Sequence, residues 1–304
     1  MRSNPGGGNP FFGVASLAAL AAAIIVLAPL TLSAQRTTRL VFVRATDTAG
    51  APVLNLTRTD LQVTENGTPR EVTRVSRGTA PLRIVLLVDS STSMDPMMNT
   101  FREALNGFVD TVPPEHEIAF ISTGGQIRVR TPPTRNRQLL KTEIARFASG
   151  GGANAFLDSM VEADRRFLAS APGQWPVIVI VTTDKGENRQ EFNLDRYNGF
   201  MNSFVARGGA AHAIIVRGQQ VGPVTDLAQN LVENTLGLHG AINTDTVLPE
   251  RLRAIAERLA ADHQKMADTF EVEFIGDAKQ VQPIVNVILT REGGQVEMSA
   301  RRPF

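Results

Sequence analysis

An aspartate and two serines follow a short apolar stretch of the chain in the pattern Asp89-x-Ser91-x-Ser93. The stretch, residues 84–88, is rich in leucine and β-branched residues without polar alternation, which predicts a strand buried on both faces of a parallel sheet. Helical periodicity follows over residues 95–112. The three side chains therefore lie where a central strand ends, the usual ligand position in open α/β sheets. One carboxylate, two hydroxyls and room for water suit a hard divalent cation such as Mg²⁺.

Two further loops carry polar side chains at comparable positions. One is the glycine-rich segment 151–158, and the other is Asp184, which follows the apolar segment 177–181. The three loops in this order resemble the metal-ion-dependent adhesion site of von Willebrand factor A domains. Residues 47–69 resemble the lead-in of a bacterial, especially acidobacterial, group of secreted proteins related to these domains. The resemblance covers nearly everything after residue 36.

The resemblance implies a set of metal ligands with one departure from the family pattern. In A domains the Asp and both Ser of the first loop hold a divalent cation, helped by a Thr in the second loop and an Asp in the third. The threonine is missing here: counting back from Asp158 places Asn154 at its position, whereas counting forward from the glycines places Ala153 there. An asparagine offers an amide oxygen, and an alanine offers nothing. The implied ligands of Mg²⁺ (or Mn²⁺ or Ca²⁺) are Asp89, Ser91, Ser93, Asn154 and Asp184.

A purely structural role for the first loop remains an alternative. Ser91 and Ser93 could cap the helix that follows, while Asp89 accepts hydrogen bonds from backbone N–H groups. The four histidines share no metal-like spacing along the chain and are expected to be surface or packing residues.

Composition excludes several classes of function. The sequence has 31 Lys and Arg residues and 30 Asp and Glu residues, so there is no excess of positive charge that would favour nucleic acid as a partner. Cysteine is absent, which rules out disulfides, cysteine-based zinc sites, thiol catalysis and a lipoprotein anchor. No pairing of a nucleophile with a base is visible, and we therefore expect no enzymatic activity.

The first 35 residues read as a targeting segment. Arg2 precedes a nearly continuous apolar run over residues 11–32, and Leu32-Ser33-Ala34 before Gln35 resembles a signal-peptidase site. About 22 residues at ~1.5 Å rise are also long enough to span a bilayer, so an uncleaved anchor is the alternative. Contact with a membrane is expected only through such an anchor. Either interpretation predicts export, to the periplasm, the cell envelope or the medium.

The remaining chain predicts two structural units. Strands and helices alternate over residues 80–266, which predicts an α/β domain with a doubly wound, mostly parallel sheet. Residues 36–79 and 267–304 each predict short alternating strands, and three strands make a poor domain alone. We therefore expect both terminal segments to form one small β-sandwich into which the α/β domain is inserted.

Together these features predict an exported binding protein of the adhesion type. Its partner is expected to be a protein that offers an Asp or Glu to the bound cation. The alternative is a structural module of the cell envelope whose metal site has degenerated.

Overall fold

The computed structural model describes residues 36–185, 193–218 and 223–300. The predicted leader lies outside these residues. Within the described ranges, no helix is long and apolar enough to cross a membrane. The strands are β1 (Arg36–Thr46), β2 (Leu61–Glu65), β3 (Thr68–Arg70), β4 (Val72–Arg77), β5 (Leu82–Val88), β6 (Glu117–Ser122), β7 (Arg128–Thr134), β8 (Trp175–Thr183), β9 (Ala210–Val216), β10 (His239–Ile242), β11 (Phe270–Asp277), β12 (Val285–Leu289) and β13 (Gln295–Ser299). The α-helices are α1 (Met98–Thr111), α2 (Arg137–Ala145), α3 (Phe156–Ala163), α4 (Leu194–Ala206), α5 (Pro223–Thr235) and α6 (Leu248–Lys265).

A six-stranded sheet forms the centre of the α/β domain, in the order β10-β9-β8-β5-β6-β7. All neighbouring strands are parallel except β7, which runs antiparallel to β6. Pro132 and Pro133 lie in β7, where an edge position lets them avoid donating to a second neighbour. The fold class predicted from the apolar, non-alternating strands is confirmed.

Helices cover both faces of this sheet. Alternate side chains of β5 and β8 enter two separate cores, because successive residues of a strand point to opposite faces. One core includes Ile84 and Val179 with the apolar faces of α1 and α6. The other includes Val85 and Ile178 with α3, α4 and α5. Burial on both faces explains why these strands carry no polar alternation.

The two terminal segments pair with each other in two antiparallel sheets. One sheet has the order β13-β1-β11-β4, and the other has the order β12-β2-β3. Their inward-facing residues share a core that includes Val43, Leu61 and Phe274. This is the arrangement that the orphaned strands at either end of the sequence predict. The domain boundaries at residues 79/80 and 266/267 remain predictions.

A buried hydrogen bond joins the terminal sheets to the α/β domain. The indole Nε1 of Trp175, the first residue of β8, donates to Oε2 of Glu271 in β11 at 2.7 Å. Both side chains are buried, so the bond pairs a polar donor and a carboxylate acceptor away from water.

Candidate metal centre

The carboxyl ends of the parallel strands bring the predicted loops to one edge of the sheet. Asp89 directly follows β5, and its backbone N–H donates to the carbonyl of Val181 in β8 at 2.9 Å. Asp184 directly follows β8. Thr123 follows β6, and its N–H donates to the carbonyl of Val88 at 3.0 Å. The edge therefore collects side chains from three adjacent strands.

Asp89 is almost completely buried and accepts several hydrogen bonds. Only 1% of the residue is exposed. Its Oδ1 accepts from the Ser91 N–H at 2.7 Å, and its Oδ2 accepts from Asn154 Nδ2 at 3.1 Å and from the Thr182 hydroxyl at 3.3 Å. Burial raises the pKa of the Asp89 carboxyl above its ordinary value, while the hydrogen bonds from Ser91 and Thr182 act in the opposite direction.

The two serines of the first loop turn their hydroxyls toward each other. Ser91 Oγ and Ser93 Oγ lie 2.9 Å apart at the start of a 3₁₀ turn, Thr92–Met97, that leads into α1. Ser91 occupies the N-cap position, but its side chain makes no capping hydrogen bond. The structural alternative, in which Ser91 caps the following helix, is therefore not seen for this serine. The backbone bond from Ser91 to Asp89, the other part of that alternative, is present.

The second loop lies against the first loop and against the turn between β6 and β7 through close backbone contacts. The Gly125 N–H donates to the Ala153 carbonyl at 2.9 Å, and the Gly150 N–H donates to the Ser90 carbonyl at 2.8 Å. A Cβ atom on Gly124 would lie 2.2 Å from the carbonyl carbon of Ser90, so only glycine allows this approach. These contacts place Asn154, next to Ala153, against Asp89.

Asn154 satisfies each polar atom of its side chain. Its Nδ2 donates to Asp89 Oδ2 and, at 2.8 Å, to Thr182 Oγ1, while its Oδ1 accepts from the Thr123 hydroxyl at 2.6 Å. The residue is 2% exposed. The amide nitrogen, which cannot bind a metal ion, thus faces the carboxylate, and the amide oxygen faces Thr123.

The third-loop aspartate makes its side-chain bond to a different element. Oδ2 of Asp184 accepts from the hydroxyl of Thr225 in α5. Its backbone N–H donates to Val216 of β9 at 3.1 Å. The residue of β8 whose side chain does bond to Asp89 is Thr182. Sequence reasoning missed Thr182 and Thr123, although both are hydroxyl residues at the carboxyl ends of buried strands.

The donor set fits a hard divalent cation in part. Mg²⁺ prefers octahedral oxygen ligands at about 2.0–2.1 Å, which places neighbouring ligand oxygens about 2.9 Å apart. The hydroxyl pair of Ser91 and Ser93 has this spacing, and Asp89 supplies the negative charge. Asn154 fits only if its amide turns to present oxygen. Asp184 adds an acidic group at the same edge of the sheet, although its side chain bonds to Thr225.

A second group of possible ligands forms near the opposite ends of the strands. Glu115, His116 and His263 offer ligand atoms that lie within 4.8 Å of one another. The ring centroids of His116 and His263 are 4.5 Å apart, a proximity that the sequence spacing did not reveal. The Leu82 N–H donates to His116 Nδ1 at 3.3 Å, which places the proton of the neutral ring on the buried Nε2. That proton opposes a metal ion there, and the pair is best described as a packing contact.

Comparison with known proteins identifies the family that the α/β domain resembles. Residues 84–187 match the family model described as von Willebrand factor type A domain. This match spans the three loops that converge at the sheet edge. No sequence among the curated proteins matches the chain.

Solved structures resemble the chain at low sequence identity. A von Willebrand factor type A protein from Catenulispora acidiphila is 14% identical with a TM-score of 0.52, covering 86% of this chain and 72% of that chain. The conserved hypothetical protein BatB from Bacteroides thetaiotaomicron is 14% identical with a TM-score of 0.47, covering 61% and 98%. Proximal thread matrix protein 1 from the mussel byssus, in a form with a zinc-occupied MIDAS motif, is 13% identical with a TM-score of 0.49, covering 70% and 50%. The first of these likenesses supports the fold.

Proposed function

Because this chain carries a von Willebrand factor type A domain, we propose that it is an exported, non-enzymatic binding protein that engages a partner protein through a divalent cation. The cation is Mg²⁺, Mn²⁺ or Ca²⁺, and the partner contributes an Asp or Glu. The apolar leader supports a location in the periplasm, the cell envelope or the medium. Domains of this family commonly act as protein-interaction modules.

One observation carries the proposal: a buried carboxylate and a pair of converging hydroxyls share the carboxyl edge of the sheet. Asp89, Ser91 and Ser93 come from one short loop, and the hydroxyl oxygens are 2.9 Å apart. A bound divalent cation supplies a positive centre to which a carboxylate of the partner can coordinate.

The chain's own residues would prepare this site before a partner arrives. The 3₁₀ turn orients the hydroxyls of Ser91 and Ser93, so that little side-chain freedom is lost on binding. Asp89 carries the charge that the serines lack. Its burial disfavours the bare carboxylate, and a cation would relieve this cost.

The proposal is tested by capturing partners from an envelope extract with the full chain as bait. We expect a defined set of proteins to bind in Mg²⁺ and to be lost when a chelator is added. The same proteins should be missing when Asp89→Ala is the bait. A set of captured proteins that is identical under all three conditions would contradict cation-dependent binding.

A structural module of the cell envelope without a bound metal is the second candidate. It is favoured by the amide of Asn154, which donates to the carboxylate that a cation would use, and by the bond between Asp184 and Thr225. Thermal unfolding separates the two candidates. A cation that binds only the folded state at about 100 times its Kd adds about 2.7 kcal/mol of stability, whereas a metal-free module gains nothing.

A further inference from the structure

Asn154 is one of the two residues that the spacing of the second loop offers for the threonine of the family pattern, and its side chain contacts Asp89 directly. Its two amide protons point to Asp89 Oδ2 and Thr182 Oγ1, at nitrogen–oxygen distances of 3.1 and 2.8 Å. Its oxygen accepts from Thr123 at 2.6 Å. These bonds hold the buried amide in this orientation as long as Asp89 accepts from it, because an unpaired amide would be costly.

The charge on Asp89 determines which way this amide points. Turning it by half a rotation would bring the amide oxygen to within about 3 Å of the carboxylate oxygen, and two acceptors repel at that distance. With a cation between them, the same two oxygens would attract it instead. The present orientation is therefore the one that suits a carboxylate without a metal ion.

We infer that Asn154 is an amide switch, which holds Asp89 in the cation-free protein and must turn away before a cation can use that carboxylate oxygen. The inference rests on the proposed cation-dependent function and adds a positioning residue to its site. The amide needs to rotate only about its terminal torsion, a broad two-fold torsion that requires no movement of the backbone.

The neighbouring threonines can accommodate both orientations. Thr123 now donates its hydroxyl proton to the amide oxygen, and after rotation it would accept a proton from the amide nitrogen instead. Thr182 now accepts from the amide nitrogen and donates to Asp89. After rotation its hydroxyl could donate to the amide oxygen. Each hydroxyl can exchange its roles as hydrogen-bond donor and acceptor without moving.

The switch predicts a weakened affinity for the cation. Binding has to break the charge-assisted bond between Asn154 and Asp89, so part of the binding free energy is lost. A side chain that cannot reach the carboxylate would remove this competition. Threonine is one atom shorter than asparagine, and its hydroxyl remains available to a cation directly or through water.

The amide resonances of Asn154 give a direct test in the full chain. The ¹⁵N side-chain pair is assigned by its absence from the spectrum of Asn154→Thr. During a titration with MgCl₂ we expect this pair to shift and to saturate with the same midpoint as the heat of binding. A pair that stays unchanged at saturating Mg²⁺ would overturn the switch while leaving cation binding intact.

Calorimetry on two variants completes the test. Asn154→Thr should bind Mg²⁺ several-fold more tightly than the natural sequence. Asn286→Thr makes the same replacement at an exposed position of β12 in the terminal sheets and should leave the affinity unchanged. Equal or weaker binding by Asn154→Thr would overturn the inference.

The remaining outcomes separate the switch from the proposed function. If the natural sequence shows no heat of binding but Asn154→Thr does, the amide blocks the site, which supports the switch and contradicts cation-dependent function. If neither protein binds Mg²⁺, both proposals are overturned.

Discussion

Asp89 is a buried carboxylate held by neutral donors from Ser91, Asn154 and Thr182. Burial raises its pKa, so the charged form is less stable in the folded protein than in the unfolded chain. As the pH rises from the ordinary range of an aspartate through the raised value, this group lowers the free energy of unfolding. A bound cation would reverse this effect by favouring the charged form.

Replacement of Asp89 should change both metal binding and fold stability, and the two effects can be measured separately. Asp89→Ala should lose any rise in melting temperature caused by Mg²⁺, because a neutral pocket has little affinity for the ion. It should also cost about 1–3 kcal/mol, since the Asn154 amide and the Thr182 hydroxyl lose a buried acceptor. Thermal unfolding with and without Mg²⁺ measures both effects.

The matched control is the exposed aspartate of the same 3₁₀ turn. Asp95→Ala removes a carboxylate that takes no part in the proposed ligand set, and it should keep the Mg²⁺ response. A response that survives in Asp89→Ala but disappears in Asp95→Ala would show that the ion binds elsewhere.

His116 predicts a pH dependence of stability. Burial and the neighbouring His263 lower the pKa of His116 from 6.5 to about 4. The unfolded chain therefore binds more protons than the folded protein between these values, and stability is lost as the pH falls from about 6.5 to about 4. Denaturant midpoints at pH 7 and pH 4.5 should differ less for His116→Gln than for the natural sequence. An equal difference would contradict this assignment.

Residue patterns predicted the charged centre of the candidate site but not its surroundings. Asp89, Ser91 and Ser93 stand out because a buried strand ends in three oxygen-bearing side chains. Thr182 lies within the apolar strand itself, where a β-branched residue reads as ordinary packing. The orientation of the Asn154 amide follows from the positions of its partners in space, which spacing along the chain does not contain.

Among the elements, the close contact of the β6–β7 turn with the backbone of Ser90 and Ser91 controls the position of the serines. Gly124→Ala should disturb this contact, because the added Cβ would lie 2.2–2.4 Å from backbone atoms of Ser90 and Ser91. Backbone cannot give way as a flexible side chain can, so we expect lower stability and weaker Mg²⁺ binding together. Calorimetry and thermal unfolding report on the two effects.

Gly107 in α1 provides the matched control. A Cβ there would meet no atom within 4 Å. Since glycine destabilises a helix interior, Gly107→Ala should raise stability by about 0.5–1 kcal/mol and leave Mg²⁺ binding unchanged. If Gly124→Ala behaves like Gly107→Ala, the loop contact does not position the site.

Helices and strands that are determined by neighbouring residues could be predicted from the sequence, whereas those that depend on distant partners could not. The dipeptide Asn66-Gly67 is typical of a tight hairpin turn, and both residues adopt positive φ angles of 49° and 78°. The strand that returns from it is only Thr68–Arg70, however, because the chain then crosses to the other sheet as Val72–Arg77. The edge strand His239–Ile242 was missed, since four residues that include a glycine give no clear pattern.

At the scale of the whole molecule, loss of the carboxyl-terminal strands should also unfold the amino-terminal strands that pair with them. Deletion of residues 268–304 removes β11, which pairs with both β1 and β4. We expect rapid proteolysis within residues 36–78, while the α/β domain stays resistant. Deletion of residues 293–304 removes only the edge strand β13 and should leave β1 protected. An amino-terminal segment that resists proteolysis after the larger deletion would show that it folds alone.

The pairing of β1 with β11 can form only after most of the chain has been synthesised. Arg39 donates a hydrogen bond to the carbonyl of Asp277, 238 residues further along the chain. At about 5–20 residues per second, β1 waits roughly 10–50 s for its partner to be made. During that interval an apolar strand edge is open to pairing with other chains, a known aggregation hazard. The α/β domain can fold in the meantime. The first strand of the described residues to be synthesised is therefore among the last to be protected, and the nascent chain would gain most from chaperones bound near β1.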